Sequence, residues 1–163
     1  MAHVELSLSE ALVPPARPAG GAVGPAGGYP GPEQPEDSLS RWAVAVHAAA
    51  EPCLLIDARS RIVATSGAGR ELLGLAEPAL TDGRPLLETL QLIDFTAAPS
   101  ALEEADAVKI PPLLALSSGR LARGLLRVGP AGADEPPDTL DAVTTPLLEG
   151  GEVVGSLTFL SAI

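Results

Sequence analysis

Histidine and cysteine carry much of the catalysis and metal binding that proteins perform near neutral pH, and both are scarce in this chain. His3, His47 and Cys53 are the full complement. A protein zinc site needs three or four ligands at recognisable spacings, and these three residues provide none. His3 lies in an N-terminal stretch without a packing pattern. His47 follows the apolar Val46 on a helical stretch, so it is expected at a surface or an interface, with a ligand or sensing role as the alternative. Cys53 opens the apolar run CLLI and is expected to be a buried packing residue. A redox role would require a neighbouring cation that the sequence does not specify. Asp57 and Asp94 flank apolar segments, yet no short motif enforces the carboxylate separation that acid–base chemistry demands.

The glycine-rich stretches are equally unspecific. GAGRELLG, residues 67–74, is not G-x-G-x-x-G and no βαβ pattern surrounds it. GLLRVGPAG lacks the Lys-Ser/Thr pair of a phosphate loop. Arg120, Arg123 and Arg127 form the densest basic cluster, with the last two spaced to share one face of a strand or a helix. They are candidate contacts to a partner or ligand, against the alternative of a solvated face. No catalytic residue, cofactor or metal is predicted.

The bulk properties narrow the class. A formal charge of −11 opposes nucleic-acid binding, which rests on phosphate neutralisation by Lys and Arg, and opposes docking on anionic lipid. The apolar share of 46% supports a core, but Tyr29, Trp42, Phe95 and Phe159 are the only aromatics, so leucine and valine must supply most of its cohesion. One cysteine excludes an intrachain disulfide. No uncharged apolar run approaches the roughly 20 residues that span a bilayer. The first residues lack a basic start followed by an apolar core, so the expected location is cytoplasmic. Nine arginines stand against one lysine, and with abundant alanine this composition is associated with GC-rich bacterial genomes.

These residues must be positioned by a small set of elements. Between Pro14 and Pro35 more than half the positions are Gly or Pro, which predicts a disordered tail over residues 1–37 and a domain over 38–163. SLSRWAVAVHAAA, residues 38–50, reads as a helix capped by Ser38 or Ser40. Leu39, Trp42, Val46 and Ala49 or Ala50 lie on one stripe that either covers a sheet or meets a second copy. Leu39, Trp42, Val46 and His47 are therefore the candidate interface. EPCLLIDARSRIVATS, residues 51–66, reads as a hairpin without the favoured turn pair. Short helices follow at 70–73, within 83–95 with Leu86, Leu87 and Leu90 buried, within 100–108 capped by Ser100 with Glu103 in a capping box, and at 111–118. Residues 121–128, 139–148 and 153–160 read as strands. Pro146 demands an edge or a bulge there, and residues 134–141 read as an exposed acidic loop. Helices gathered between strand blocks predict an α+β domain, an antiparallel sheet with helices on one face.

In that order the chain resembles a PAS domain, the small sensory fold of many bacterial regulators. The matching pieces are AAAEPCLLIDARSRIVATS, GAGRELLGL, GRPL and PLLEGGEVVGSLTFL, over roughly residues 40–163. The resemblance, to a stand-alone regulatory protein of actinobacterial type, implies a five-stranded antiparallel sheet with its first and last strands as central neighbours. It also implies a cavity between sheet and helices, and dimerisation through the N-terminal helix. Haem-binding members use a histidine on the central helix, and residues 100–118 contain none. Flavin photoreceptor members use a cysteine in an Asn-Cys-Arg-Phe context, which is absent, as is the coumarate pattern. The expectation is a non-catalytic sensory or regulatory module acting by protein–protein interaction in signalling or transcriptional regulation, as a homodimer or with a separate regulatory protein. No output domain follows the last strand, so the output is expected from such an association. The alternative is a small-molecule-binding module that senses or sequesters a metabolite.

Overall fold

In the computed structural model, which describes residues 37–75, 77–96, 100–129 and 136–163, Asp37 opens the first helix, α1 (Ser38–Ala48). Its Oδ1 accepts the Ser40 amide at 2.7 Å, satisfying one of the orphan N–H groups of the first turn. That bond, ahead of any other influence, holds the Asp37 carboxyl below the usual carboxylate range. Asp37 is thus the cap, where Ser38 or Ser40 was expected. The Gly/Pro-rich tail predicted for residues 1–37 falls, apart from Asp37, outside the described residues.

The hairpin of β1 (Cys53–Asp57) and β2 (Ile62–Thr65) forms without an Asn-Gly pair because Asp57 supplies the turn chemistry. Its Oδ1 accepts the amides of Arg59 at 2.8 Å and Arg61 at 2.9 Å, and Ser60 takes a left-handed φ of 61°. Short side-chain-to-backbone bonds of this kind specify turns locally. Asp57 is therefore a turn residue, with its carboxylate spent on main-chain amides.

Five helices follow: α2 (Gly67–Leu73), α3 (Pro78–Thr81), α4 (Leu86–Thr89), α5 (Glu104–Ala107) and α6 (Pro111–Ser118). α6 starts at a Pro-Pro pair, where missing N–H groups cost nothing. α5 begins later than the capping-box reading placed it: Glu103 occupies the N-cap position with no side-chain bond. Ser100 instead donates its hydroxyl to Asp94 Oδ2 at 2.9 Å. Leu86 and Leu90 are buried as expected, but Leu87 is exposed, because α4 lasts a single turn and Leu87 falls on its outward side.

The last three strands are β3 (Ala122–Val128), β4 (Asp138–Glu149) and β5 (Glu152–Ala162). Gly150 and Gly151, both at positive φ, make the β4–β5 turn, as two-residue hairpins of this hand require. All pairs are antiparallel, in the order β2-β1-β5-β4-β3. β1 and β5 are central neighbours, as the resemblance implies. β4 begins at Asp138, so residues 139–141 are strand, as the 139–148 reading expected, and not part of the acidic loop read over 134–141. Pro146 pairs with Ser156 beyond the end of β3, whose ladder stops at Ala122↔Thr144. At that point β4 is locally an edge and tolerates the missing donor.

Helices cover both faces of this sheet unequally. One face carries Leu54, Ile56, Leu126, Leu140 and Leu160 into a core with Leu73, Leu86, Leu90, Ile110 and Leu113 from α2, α4, α6 and the positions flanking them. The other face carries Cys53, Leu55, Ala64, Leu147 and Leu157 against Val46, Leu39, Ala43 and Ala49 of α1. This packing is the first of the two outcomes read for the α1 stripe, cover over a sheet. Val46 is fully sealed and Leu39 half-buried against the sheet, so the apolar stripe is spent within the chain.

Candidate functional site

α1 reaches only part of the face it covers. Val143 of β4 pairs with Phe159 of β5 on one side and Arg123 of β3 on the other. Asp141 likewise pairs with Ser161 and with Leu125. Because side chains alternate along each strand, Leu125, Val143 and Phe159 share the α1 face, and Leu125 and Phe159 stand exposed there. Across them Arg123 grips Asp141 with two bonds, Nε to Oδ1 at 3.1 Å and Nη2 to Oδ2 at 2.6 Å. The hydrogen bonds from Arg123 hold the Asp141 carboxyl below its usual range, and those to Asp141 raise Arg123. The result is an apolar patch with a neutralised bidentate pair beside it.

Trp42 and His47, the remaining members of the predicted interface, sit exposed on α1. His47 Nε2 lies 3.6 Å from Asp82 Oδ2, which links α1 to the residue after α3. Leu39 and Val46 face inward, so the four residues do not form one surface. Phe159, Leu125, Val143 and Asp141 were not singled out in the sequence. Their period-2 spacing was visible, but which face α1 leaves open was not.

The three arginines also separate. Arg123 and Arg127 share a face of β3, but Arg127 Nη1 donates to the Asp94 carbonyl at 3.1 Å, and Arg120 stands exposed beyond the strand. Asp94 uses its carboxylate locally: Oδ1 accepts the Thr96 hydroxyl at 2.9 Å and Oδ2 the Ser100 hydroxyl. Those bonds, the Thr96 one first, lower its pKa. Asp57 likewise spends its Oδ1 on the turn amides of Arg59 and Arg61.

On the opposite side, an open groove of about 600 Å³ is lined by Leu87, Leu90, Leu92, Leu102 and Ala107, with Gln91 and Glu104 as its polar members. Its wall, Gln91–Ile93, is tied to β3 by Ile93 N–H to Arg127 O at 2.9 Å and Gly129 N–H to Gln91 O at 2.7 Å. Deeper in, three hydroxyls of the sheet are already bonded. Thr144 and Thr158 lie Oγ1 to Oγ1 at 2.9 Å, and Ser156 donates to Pro112 O at 3.0 Å. The groove is open, but Leu90 and Leu92 in its lining belong to the core between sheet and helices, the region where the resemblance implies a cavity.

Cys53 sits on the α1 face of the sheet, in register with Phe159. A flavin held between sheet and helices would be out of its reach, so the residues present do not fit thiol–flavin chemistry. Among the described residues, no cluster of three or more His, Cys, Asp or Glu side chains is placed to hold a metal ion. No helix among them is long and apolar enough to cross a membrane.

Solved structures place this architecture in a known class. The PAS domain of a Colwellia psychrerythraea protein matches with a TM-score of 0.53 at 17% identity, over 78% of this chain and 98% of that one. The LOV protein of Rhodobacter sphaeroides matches at 0.55 and 18% identity, over 74% and 64% of the two chains. The PAS domain of an HTR-like protein from Haloarcula marismortui matches at 0.51 and 14%, over 76% and 90%. No family model and no curated protein matches the chain. With the β2-β1-β5-β4-β3 order, these likenesses define the fold as that of a PAS domain.

Proposed function

We propose that the chain is a non-catalytic sensory and regulatory module, acting through protein–protein association in signal transduction or transcriptional control. A second copy of the chain is its first partner. The observation that carries this reading is the patch of Leu125, Val143 and Phe159 left beside α1. Exposed aromatic and aliphatic groups gathered on one sheet face suit an association surface better than a solvated one. The spent carboxylates of Asp57 and Asp94 support a role without acid–base chemistry.

The signal would enter from the groove, whose volume falls in the range of small-molecule sites. A ligand pressing on Gln91–Ile93 acts on β3 through the bonds at Arg127 and Gly129, and β3 carries Leu125 on the association face. The same groove favours the second reading, a module that senses or sequesters a small metabolite. Native mass spectrometry separates the two. The first reading expects a dimer whose population changes with any bound small molecule. The second expects a monomer with a retained adduct, and a monomer without adduct at all concentrations contradicts both.

A further inference from the structure

The edge of β3 that faces away from β4 is unfinished. Alternate residues of a strand turn their main-chain groups to the same side. Arg127 O accepts from Ile93 and Gly129 N–H donates to Gln91, so the odd-numbered residues of β3 direct their N–H and C=O groups outward. Gln91–Ile93 covers only that end. At Asp94 the chain turns to pair with Ser100, Asp94 N–H to Ser100 O at 3.0 Å. Farther along, the outward groups of Leu125 and Arg123 have no main-chain partner among the described residues. A row of this kind is a template for an added strand.

Two further features lie at the same edge. Beneath it is a pocket of about 220 Å³ whose apolar walls include Phe95, Leu102, Ile110 and Pro111. Gly124 lies over that pocket, and a Cβ there would stand 3.3 Å from Pro111 Cγ, so the missing side chain keeps its mouth clear. The edge is also locally basic on an otherwise acidic chain. Lys109 is paired with Asp106, and Arg123 with Asp141. Arg127 and Arg120 have no carboxylate in ion-pair range among the described residues.

We propose that this edge receives an extended segment of a partner protein, added to the sheet as a sixth strand, in which acidic and apolar residues alternate. Directly opposed residues point to the same face. The acidic side chains therefore lie opposite Arg123 and Leu125, on the face that also carries Arg127, and their amides bond the outward groups of Arg123 and Leu125. The apolar side chains fall on the Gly124 face and enter the pocket. The main chain supplies affinity and the pocket supplies selectivity, the usual division in strand addition. This goes beyond the association proposed above, because it uses the sheet edge and not the sheet face.

The test uses a fluorescent, end-blocked hexapeptide of alternating glutamate and leucine, with two N-methylated versions, read by anisotropy and amide hydrogen exchange on the full chain. The unmodified peptide is expected to bind in a salt-sensitive manner and to slow exchange at Leu125 and Arg123. Methylating the glutamate amides should weaken binding by about tenfold or more, from loss of main-chain bonds. Methylating the leucine amides should change it less than about threefold, since those face away. Leu125→Pro removes an outward donor and spares the bonds to β4, so it should mimic glutamate methylation. Equal losses from both methylations, protection at Phe159 in place of the edge, or no binding at millimolar peptide would overturn the proposal. Exchange at Leu125 that slows with protein concentration alone would also overturn it, assigning the edge to a second copy.

Discussion

Cys53 and Phe159 face each other across the β1–β5 ladder and point to the same side of the sheet, yet one is 1% exposed and the other 47%. The boundary of α1 falls between them. On the Cys53 side the helix closes the face with Leu39, Ala43, Val46 and Ala49. On the Phe159 side the sheet carries apolar residues that nothing among the described residues covers to the same depth. The surface proposed for association is thus defined by where α1 stops.

This boundary makes the Cys53 thiol a reporter of α1. In the native chain a thiol reagent should label it only through local opening, far more slowly than in urea. Val46→Ala, which trims the helix face over it, should speed labelling by roughly tenfold. Stopped reaction followed by mass spectrometry reads the rate. Native labelling as fast as that of the unfolded chain would show that α1 does not seal this face.

Gly155 sets how closely α1 approaches. A methyl built there would lie 2.5 Å from Ile56 O and 2.8 Å from Leu39 Cδ2, and the backbone oxygen cannot rotate away. Gly155→Ala should therefore destabilise the fold by about 1–3 kcal/mol. Urea unfolding followed by Trp42 fluorescence measures it, since Trp42 is the only tryptophan and rides on α1. A neutral result would mean that Leu39 and the β1–β5 contact have room the distances deny.

The Asp141 carboxyl is held below its usual range by the hydrogen bonds from Arg123. Its charged form is therefore favoured by folding. The stabilisation is present above the unfolded carboxylate value, near pH 3.9, and is lost as pH falls through the lower folded value. Arg123→Ala should move the Asp141 midpoint upward in an NMR titration and reduce the acid-side loss of stability. An unchanged midpoint would show that the bidentate pair is not formed in solution.

Local chemistry made much of the fold legible, and relations between distant elements account for the rest. CLLID, VVGSLTFL and the Pro-Pro start of α6 each declare their element by period or by proline geometry. The polar break from Asp57 to Arg61 marked the turn, but the Asx bonds with which Asp57 holds it are visible only once the chain has turned. Ser100 looked like a cap, but its hydroxyl is bound to Asp94, outside any helix. Leu39 and Val46 were read as an interface because a helical stripe does not say which surface will cover it. Phe159 was passed over for the converse reason: in VVGSLTFL it looks like core, and only the reach of α1 leaves it outside.

The central claim is that the uncovered sheet face joins two copies of this chain, and sedimentation equilibrium of Phe159→Asp tests it most directly. Val108→Asp is the matched control, since Val108 is an apolar residue at least as exposed as Phe159, at the C-terminal end of α5. The account predicts a concentration-dependent dimer for the wild type and for Val108→Asp, and a monomer for Phe159→Asp with unchanged circular dichroism. A wild type that stays monomeric at high concentration, or a Phe159→Asp chain that dimerises as well as the wild type, would contradict it.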